Sequence, residues 1–118
     1  MNTKDISSLI KEIEVSNPDR LQVKGDSTRE PRPIGFYNAM NKVIPDVVAI
    51  YSNKRDFYAI EKNIVEKEIH VFIFKWILFA SEARKHGGKF YLVIPKGKSE
   101  LVEGLIAEKQ LDINLIEI

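Results

Sequence analysis

The chain contains no cysteine, which removes disulfides, thiolate zinc sites and cysteine nucleophiles together. Histidine is nearly as scarce. His70 and His86 stand sixteen positions apart with no third ligand in view, and His86, beside Gly87-Gly88, suits a helix C-terminus, where a cation meets the dipole favourably. No sign of charge dominates: 18 Lys and Arg face 17 Asp and Glu, for a net charge of +1. A global basic coat for nucleic acid is thereby excluded, although the cations can still cluster on one side. Long apolar runs are missing too. The most apolar stretch, Ile69 to Ala80, includes His70 and Lys75 and is too short to span a membrane. Met1-Asn2-Thr3-Lys4-Asp5 leads into an amphipathic pattern without the apolar core or small-residue cleavage site of a secretory signal, so a cytoplasmic location is expected by default. Ser7, Ser8, Ser52 and Ser81 lack the small-residue elbow that exposes a serine nucleophile. There are no internal repeats or low-complexity segments.

What is present is the balance of a globular protein: 118 residues, 44% hydrophobic and 30% charged, which suits one domain over 1–118 with a core of its own. Ile6, Leu9, Ile10 and Ile13 recur at helical spacing after a cap at Thr3 or Asp5, and Asn17-Pro18 stops that helix. Leu21 to Lys24 suits a brief strand. Gly25 to Pro33, polar with one glycine and two prolines, reads as a loop. Ile34 to Tyr37 is read as a strand followed by a loop. Val65, Ile69, Phe72, Ile73, Trp76, Ala80 and Ala83 share one helical face, which predicts a long helix over 65–83. Val71, Phe74 and Leu78 form a second apolar stripe on it, which the first helix or a second subunit must cover. Lys89 to Pro95 follows as an apolar strand, parallel to the one before the helix because a helical crossover joins them. A helix capped at Ser99 and an edge strand over 113–118 complete the chain. The order predicts an α/β fold with a mixed central sheet and flanking helices.

Pro95-Lys96-Gly97-Lys98-Ser99 resembles the tail of a phosphate-binding loop, but that pattern needs a glycine where Leu92 stands, so a helix cap is the better reading. Tyr37, Tyr51, Tyr58 and Tyr91 suit packing on a sheet more than stacking on bases.

The stretch that organises the rest is Ile44 to Asn63. Two runs rich in β-branched and aromatic residues flank Ser52-Asn53-Lys54-Arg55, the sign of a β-hairpin. With the turn at Asn53-Lys54, Asp46 and Glu61 are expected to face each other across the pair with Cβ atoms about 5 Å apart. Facing carboxylates repel. Either water screens them at a strand end, or a hard divalent cation such as Mg²⁺ holds them together.

Pro45-Asp46, a short hairpin, Tyr58-Ala59-Ile60-Glu61-Lys62-Asn63, a long helix and a further strand together resemble the PD-(D/E)XK nuclease-like superfamily, in motif and topology over roughly residues 34 to 95. The resemblance implies a restriction-endonuclease-like core, nucleic acid as partner, and Mg²⁺ (or Mn²⁺) bound by Asp46 and Glu61 for phosphodiester hydrolysis. It also implies a lysine two residues beyond Glu61, to orient or help deprotonate the attacking water. The chain departs from the pattern there, because that position is Asn63. Lys62, one residue along, points to the opposite face of a regular strand unless a β-bulge swings it back. Lys67 or Lys75 could reach in from the helix, Asn63 could hold the water without charge, or catalysis has been lost. Glu12 or Glu14 of the first helix could add an acid.

Two functions follow. One is a small nuclease-like hydrolase domain, or a catalytically degenerate DNA- or RNA-binding relative, with Asp46, Glu61, Lys62 and Asn63 as candidate catalytic residues. The other is a non-catalytic interaction domain whose apolar helix 65–83 makes a homodimer or docks on a larger assembly.

Overall fold

The computed structural model describes residues 2–35 and 42–118. Helix α1, Thr3–Val15, opens with a capping box in which the Asn2 side chain accepts from the Asp5 N–H at 3.0 Å and the Asp5 carboxylate accepts from the Asn2 N–H at 3.1 Å. The cap is thus Asn2, one residue ahead of the expected Thr3, with Asp5 as its reciprocal partner. Asn17, at φ 60°, and Pro18 end the helix.

Five strands form one sheet in the order β1 (Arg20–Val23), β2 (Val47–Ile50), β3 (Arg55–Ile60), β4 (Phe90–Ile94) and β5 (Asn114–Glu117). β1, β2 and β3 run antiparallel in turn, while β4 lies parallel to β3 and β5 parallel to β4. The change follows from the connections. A tight turn can join only antiparallel neighbours, whereas helix α2 (Ile69–Lys85) and helix α3 (Ser99–Lys109) supply the crossovers that parallel neighbours require. The mixed sheet with flanking helices is the fold that the order of elements predicts.

Both faces of the sheet are covered, and strand alternation sorts the side chains between them. Val48, Ile50, Phe57 and Ala59 pack with Ile73, Trp76, Phe79 and Val102 on the α2 and α3 side. Val47, Ala49, Tyr58 and Val93 pack with Leu9 and Ile13 of α1 on the other. Double coverage explains why β2 is apolar at every position and carries no polar–apolar alternation.

Several boundaries differ from expectation. The long helix begins at Ile69 after a 3-10 turn, Glu66–Glu68, and not at 65. α1 lies across the sheet from α2 and does not cover its second stripe: Val71 is 68% exposed and Phe74 47%, while Leu78 is buried. Ser99 is the first residue of α3 and makes no capping bond. Ile34 and Val43 form a single antiparallel bridge and Gly35 belongs to no strand, while residues 36 and 37 of the strand expected over 34–37 lie outside the described residues. Gly88 brings the chain back beside β3, where a Cβ would sit 1.8 Å from the Arg55 carbonyl oxygen. No helix among the described residues is long and apolar enough to cross a membrane.

Candidate functional site

The hairpin turn is Ser52-Asn53, closed by the Tyr51 N–H donating to the Lys54 carbonyl at 2.9 Å, and Val47 pairs with Tyr58, Val48 with Phe57 and Ile50 with Arg55. This register is two residues away from the one expected from a turn at Asn53-Lys54. The paired register ends at Val47 and Tyr58, and the Asp46 N–H also donates to the Tyr58 carbonyl, so Asp46 and Glu61 are not directly opposite each other. A two-residue slip keeps every side chain on its face, so burial is satisfied by both registers and the alternation of apolar residues could not separate them.

Asp46 stands where the chain enters β2. Its N–H donates to the Tyr58 carbonyl at 3.0 Å and its carbonyl accepts from the Lys24 N–H at 2.8 Å. Pro45, immediately before it, has no N–H to extend the ladder. The Asp46 carboxylate takes over there: Oδ2 accepts from the Ile60 N–H at 2.6 Å. This satisfies a backbone donor and leans the side chain over the end of β3.

Burial pushes the Asp46 carboxyl above its ordinary range. The Ile60 N–H and the charges of Lys24 and Lys75 oppose the rise, and the nearby Glu61 charge adds to it. A carboxyl raised in the folded state favours folding fully only below its unfolded value near 3.8, and that contribution is lost as pH rises through the folded value. At neutral pH the ionised Asp46 therefore opposes folding. Asp46→Asn keeps an oxygen for the Ile60 N–H and removes the charge, so at pH 7 it should melt a few degrees higher than the unaltered protein. Thermal unfolding repeated near pH 3 should show the gap closing.

Glu61 follows β3 directly, its N–H donating to the Val93 carbonyl at 2.9 Å. It is buried, and α2 supplies both partners of Oε2: the Trp76 indole N–H donates at 2.9 Å and the Lys75 ammonium lies at 2.6 Å. Lys75 also sits 5.3 Å from the centre of the Phe72 ring. The charges of Glu61, Lys24 and Lys75 all act on Asp46, so two acids and two lysines gather around one end of the hairpin, with Glu61 turned toward α2 and Lys24 and Asp46 bordering a cavity on the α1 side.

That fold has a solved counterpart. The structure is similar to the crystal structure of an XisH family protein from Nostoc punctiforme, with a TM-score of 0.54 and 14% sequence identity over 91% of this chain and 87% of that one. At such identity the likeness is one of fold. No protein-family model and no curated protein sequence matches the chain.

The remaining candidates are dispersed. Lys62 and Asn63 are exposed. Lys62 lines a cavity of about 160 Å³ together with Ile6 and Ile10 of α1, Lys24 and Asp46; Glu61 is not in its wall. Lys67 is exposed in the 3-10 turn, Glu14 is exposed on α1, and Glu12 lines a separate cavity with Tyr51, Tyr58 and Tyr91 near the hairpin turn. Among the described residues, Lys75 is thus the lysine whose side chain pairs with a candidate acid. Its signal in the sequence was its position, a charge inside the most apolar stretch of the chain and next to the lone tryptophan. A buried indole N–H needs an acceptor, and here the acceptor is Glu61.

Mg²⁺ can be tested against these donors. Among the described residues no group of three or more His, Cys, Asp or Glu gathers as a metal cluster. The two carboxylates are nonetheless hard oxygen donors, and each engages protein partners through one oxygen, Oδ2 of Asp46 and Oε2 of Glu61. That leaves one oxygen apiece. Mg²⁺ binds through one or two carboxylates and takes the rest of its shell from water and phosphate, so the donor set fits.

Proposed function

We propose that this chain is a nuclease-like α/β domain of the PD-(D/E)XK kind acting on phosphodiester bonds of nucleic acid, with Asp46 and Glu61 as metal ligands and Lys75 in the role of the lysine that the strand motif lacks. The observation that carries this reading is the contact of Lys75 with Glu61 at 2.6 Å. It brings an ammonium to the acid pair from α2, where the sequence offers only Asn63 on the strand.

A bound Mg²⁺ would supply a Lewis acid for the phosphoryl oxygens and for a water nucleophile. The chain's own residues do the rest. Trp76 and Lys75 fix the Glu61 carboxylate, the Ile60 N–H fixes Asp46, and the Lys75 ammonium orients a water beside Glu61 by donating a hydrogen bond to its oxygen. Lys24, on the far side of Asp46, offsets the charge of the incoming phosphate.

The test compares three alanine variants in a cleavage assay with Mg²⁺ or Mn²⁺ on single- and double-stranded DNA and RNA. Lys75→Ala should lower the rate by about 100-fold, the range for a positioned proton-transfer group. Lys62→Ala and Asn63→Ala should stay within a few-fold of the unaltered protein. A large loss in Lys62→Ala with none in Lys75→Ala would return the role to the strand.

A second reading rests on the outer face of α2, where Val71, Phe74 and Ile77 are 68%, 47% and 45% exposed. Apolar residues grouped on one helix face suit a protein interface, either a homodimer or a larger assembly. On that reading the acids serve only to hold the end of the hairpin through Ile60, Lys75 and Trp76, and the metal titration considered in the Discussion separates the two.

A further inference from the structure

The sheet face that carries Glu61 also holds a polar pocket of about 350 Å³ near the hairpin turn, lined by Arg20, Gln22, Arg32, Arg55, Glu82 and His86 among others. The sheet builds it. Arg20 pairs with Ile50 and Ile50 with Arg55, so the two arginines flank Ile50 in one row across β1, β2 and β3. Their backbones are about 10 Å apart, two strand spacings. Ile50 belongs to the core on the α2 side, and the row therefore faces that way. Arg32 comes in from the loop after β1.

The chain has five arginines. Arg29 pairs with Asp26 at 2.8 Å and Arg84 with Asp112 at 3.2 Å. The other three are those of the pocket, and among the described residues none of them has an ion pair or a side-chain hydrogen bond. The acid in the wall, Glu82, is engaged by His86 Nε2 at 3.1 Å and by Lys85 Nζ at 3.8 Å. Three guanidinium groups around one cavity repel one another until an anion enters, and their planar forks match phosphate oxygens. With a net charge of only +1 on the whole chain, this concentration is local.

We infer that Arg20, Arg32 and Arg55 form a phosphate-binding site that holds a nucleic-acid strand by its backbone. Gln22, also in the pocket wall, continues the row of Arg20 along β1, and just beyond the strand the Lys24 N–H donates to the Asp46 carbonyl at 2.8 Å. Arg20 and Lys24 are about 13 Å apart along the chain, so β1 leads from the pocket toward the end of the sheet that carries the carboxylates. That the anion is a nucleic-acid phosphate rests on the function proposed above. That the pocket takes an anion does not.

The experiment is fluorescence anisotropy of the full chain with a short single-stranded DNA, with and without a 5′-phosphate, in EDTA so that cleavage is silent. Arg32→Gln with Arg55→Gln should weaken binding at least about 10-fold and reduce the salt dependence of log K by about 1.5 in slope, two phosphate contacts' worth. Lys4→Gln with Lys11→Gln, which removes the same charge from exposed positions of α1 across the sheet, should stay within about 2-fold. Circular dichroism checks that both variants fold. A preference for the 5′-phosphate that disappears in the arginine variant assigns a terminal phosphate, and equal loss with both oligonucleotides assigns an internal one; either supports the site. Equal losses in the arginine and lysine variants would overturn it, as would calorimetric binding of inorganic phosphate without affinity for the strand. Because no metal is present, a failed cleavage assay and a failed arginine dependence are separate results.

Discussion

Asp46→Ala and Glu61→Ala should each abolish Mn²⁺ binding in a calorimetric titration that detects millimolar affinity in the unaltered protein. The expectation follows from the donor count. Two carboxylates, each with one oxygen not committed to a protein partner, are the ligands of the proposed site. Loss of an outer-shell partner of a metal ligand typically weakens binding 10- to 100-fold, so loss of the ligand itself should exceed about 100-fold and pass below detection. Glu61→Ala also leaves the Trp76 indole N–H and the Lys75 ammonium without their acceptor. Glu61→Gln is therefore the better partner variant, since it retains an oxygen for Trp76 and removes the charge. Glu100→Ala, exposed in the first turn of α3, serves as a control that should bind as the unaltered protein does. Absence of binding by the unaltered protein at millimolar Mn²⁺ would sink the metal reading and leave the apolar face of α2 as the feature with most to explain.

Trp76→Ala should remove about 3–5 kcal/mol of stability in urea unfolding, the range for deleting a fully buried large aromatic side chain. Trp76 is 0% exposed, packed from α2 against the sheet and tilted against Phe72 at 6.0 Å. For a domain whose total stability is of order 5–15 kcal/mol, that loss leaves little. Trp76→Phe separates packing from hydrogen bonding. It keeps most of the volume and deletes the N–H that holds Glu61, a bond to a carboxylate worth about 1.5–3 kcal/mol. Trp76→Phe should therefore fold, with a smaller loss of stability, and bind Mn²⁺ about 10-fold more weakly because Glu61 loses one of the two groups that orient it. Unchanged metal affinity in a folded Trp76→Phe protein would show that Glu61 is positioned by Lys75 alone.

The contrast between these residues and Lys62 shows how far the chain could be read before its fold was known. Pro45-Asp46 and Glu61 were visible because strand-ending motifs are local, running along a few consecutive residues. Lys75 was visible only as one of several alternatives, because a helix can present a side chain to a sheet in many ways and the choice depends on how α2 packs. The three pocket arginines come from β1, the loop after it and β3, and no short pattern links them. The hairpin register was misplaced for another reason. Both registers bury the same residues, so the decision fell to the Tyr51–Lys54 bond and to Lys54, which lies 4.9 Å from the centre of the Tyr51 ring and 3.4 Å from Asp56.

The sequence by itself determined the order of helices and strands, the change from antiparallel to parallel pairing, the apolar faces of the helices and the acids that end the hairpin strands. All of these depend on the period of apolar residues and on the length of each connection, which are local properties. Only the tertiary structure decided which cations meet which acids. That choice depends on distances between elements far apart in the chain, and it put Lys75 on Glu61, Lys24 beside Asp46, and around one pocket three arginines with no acid paired to them among the described residues.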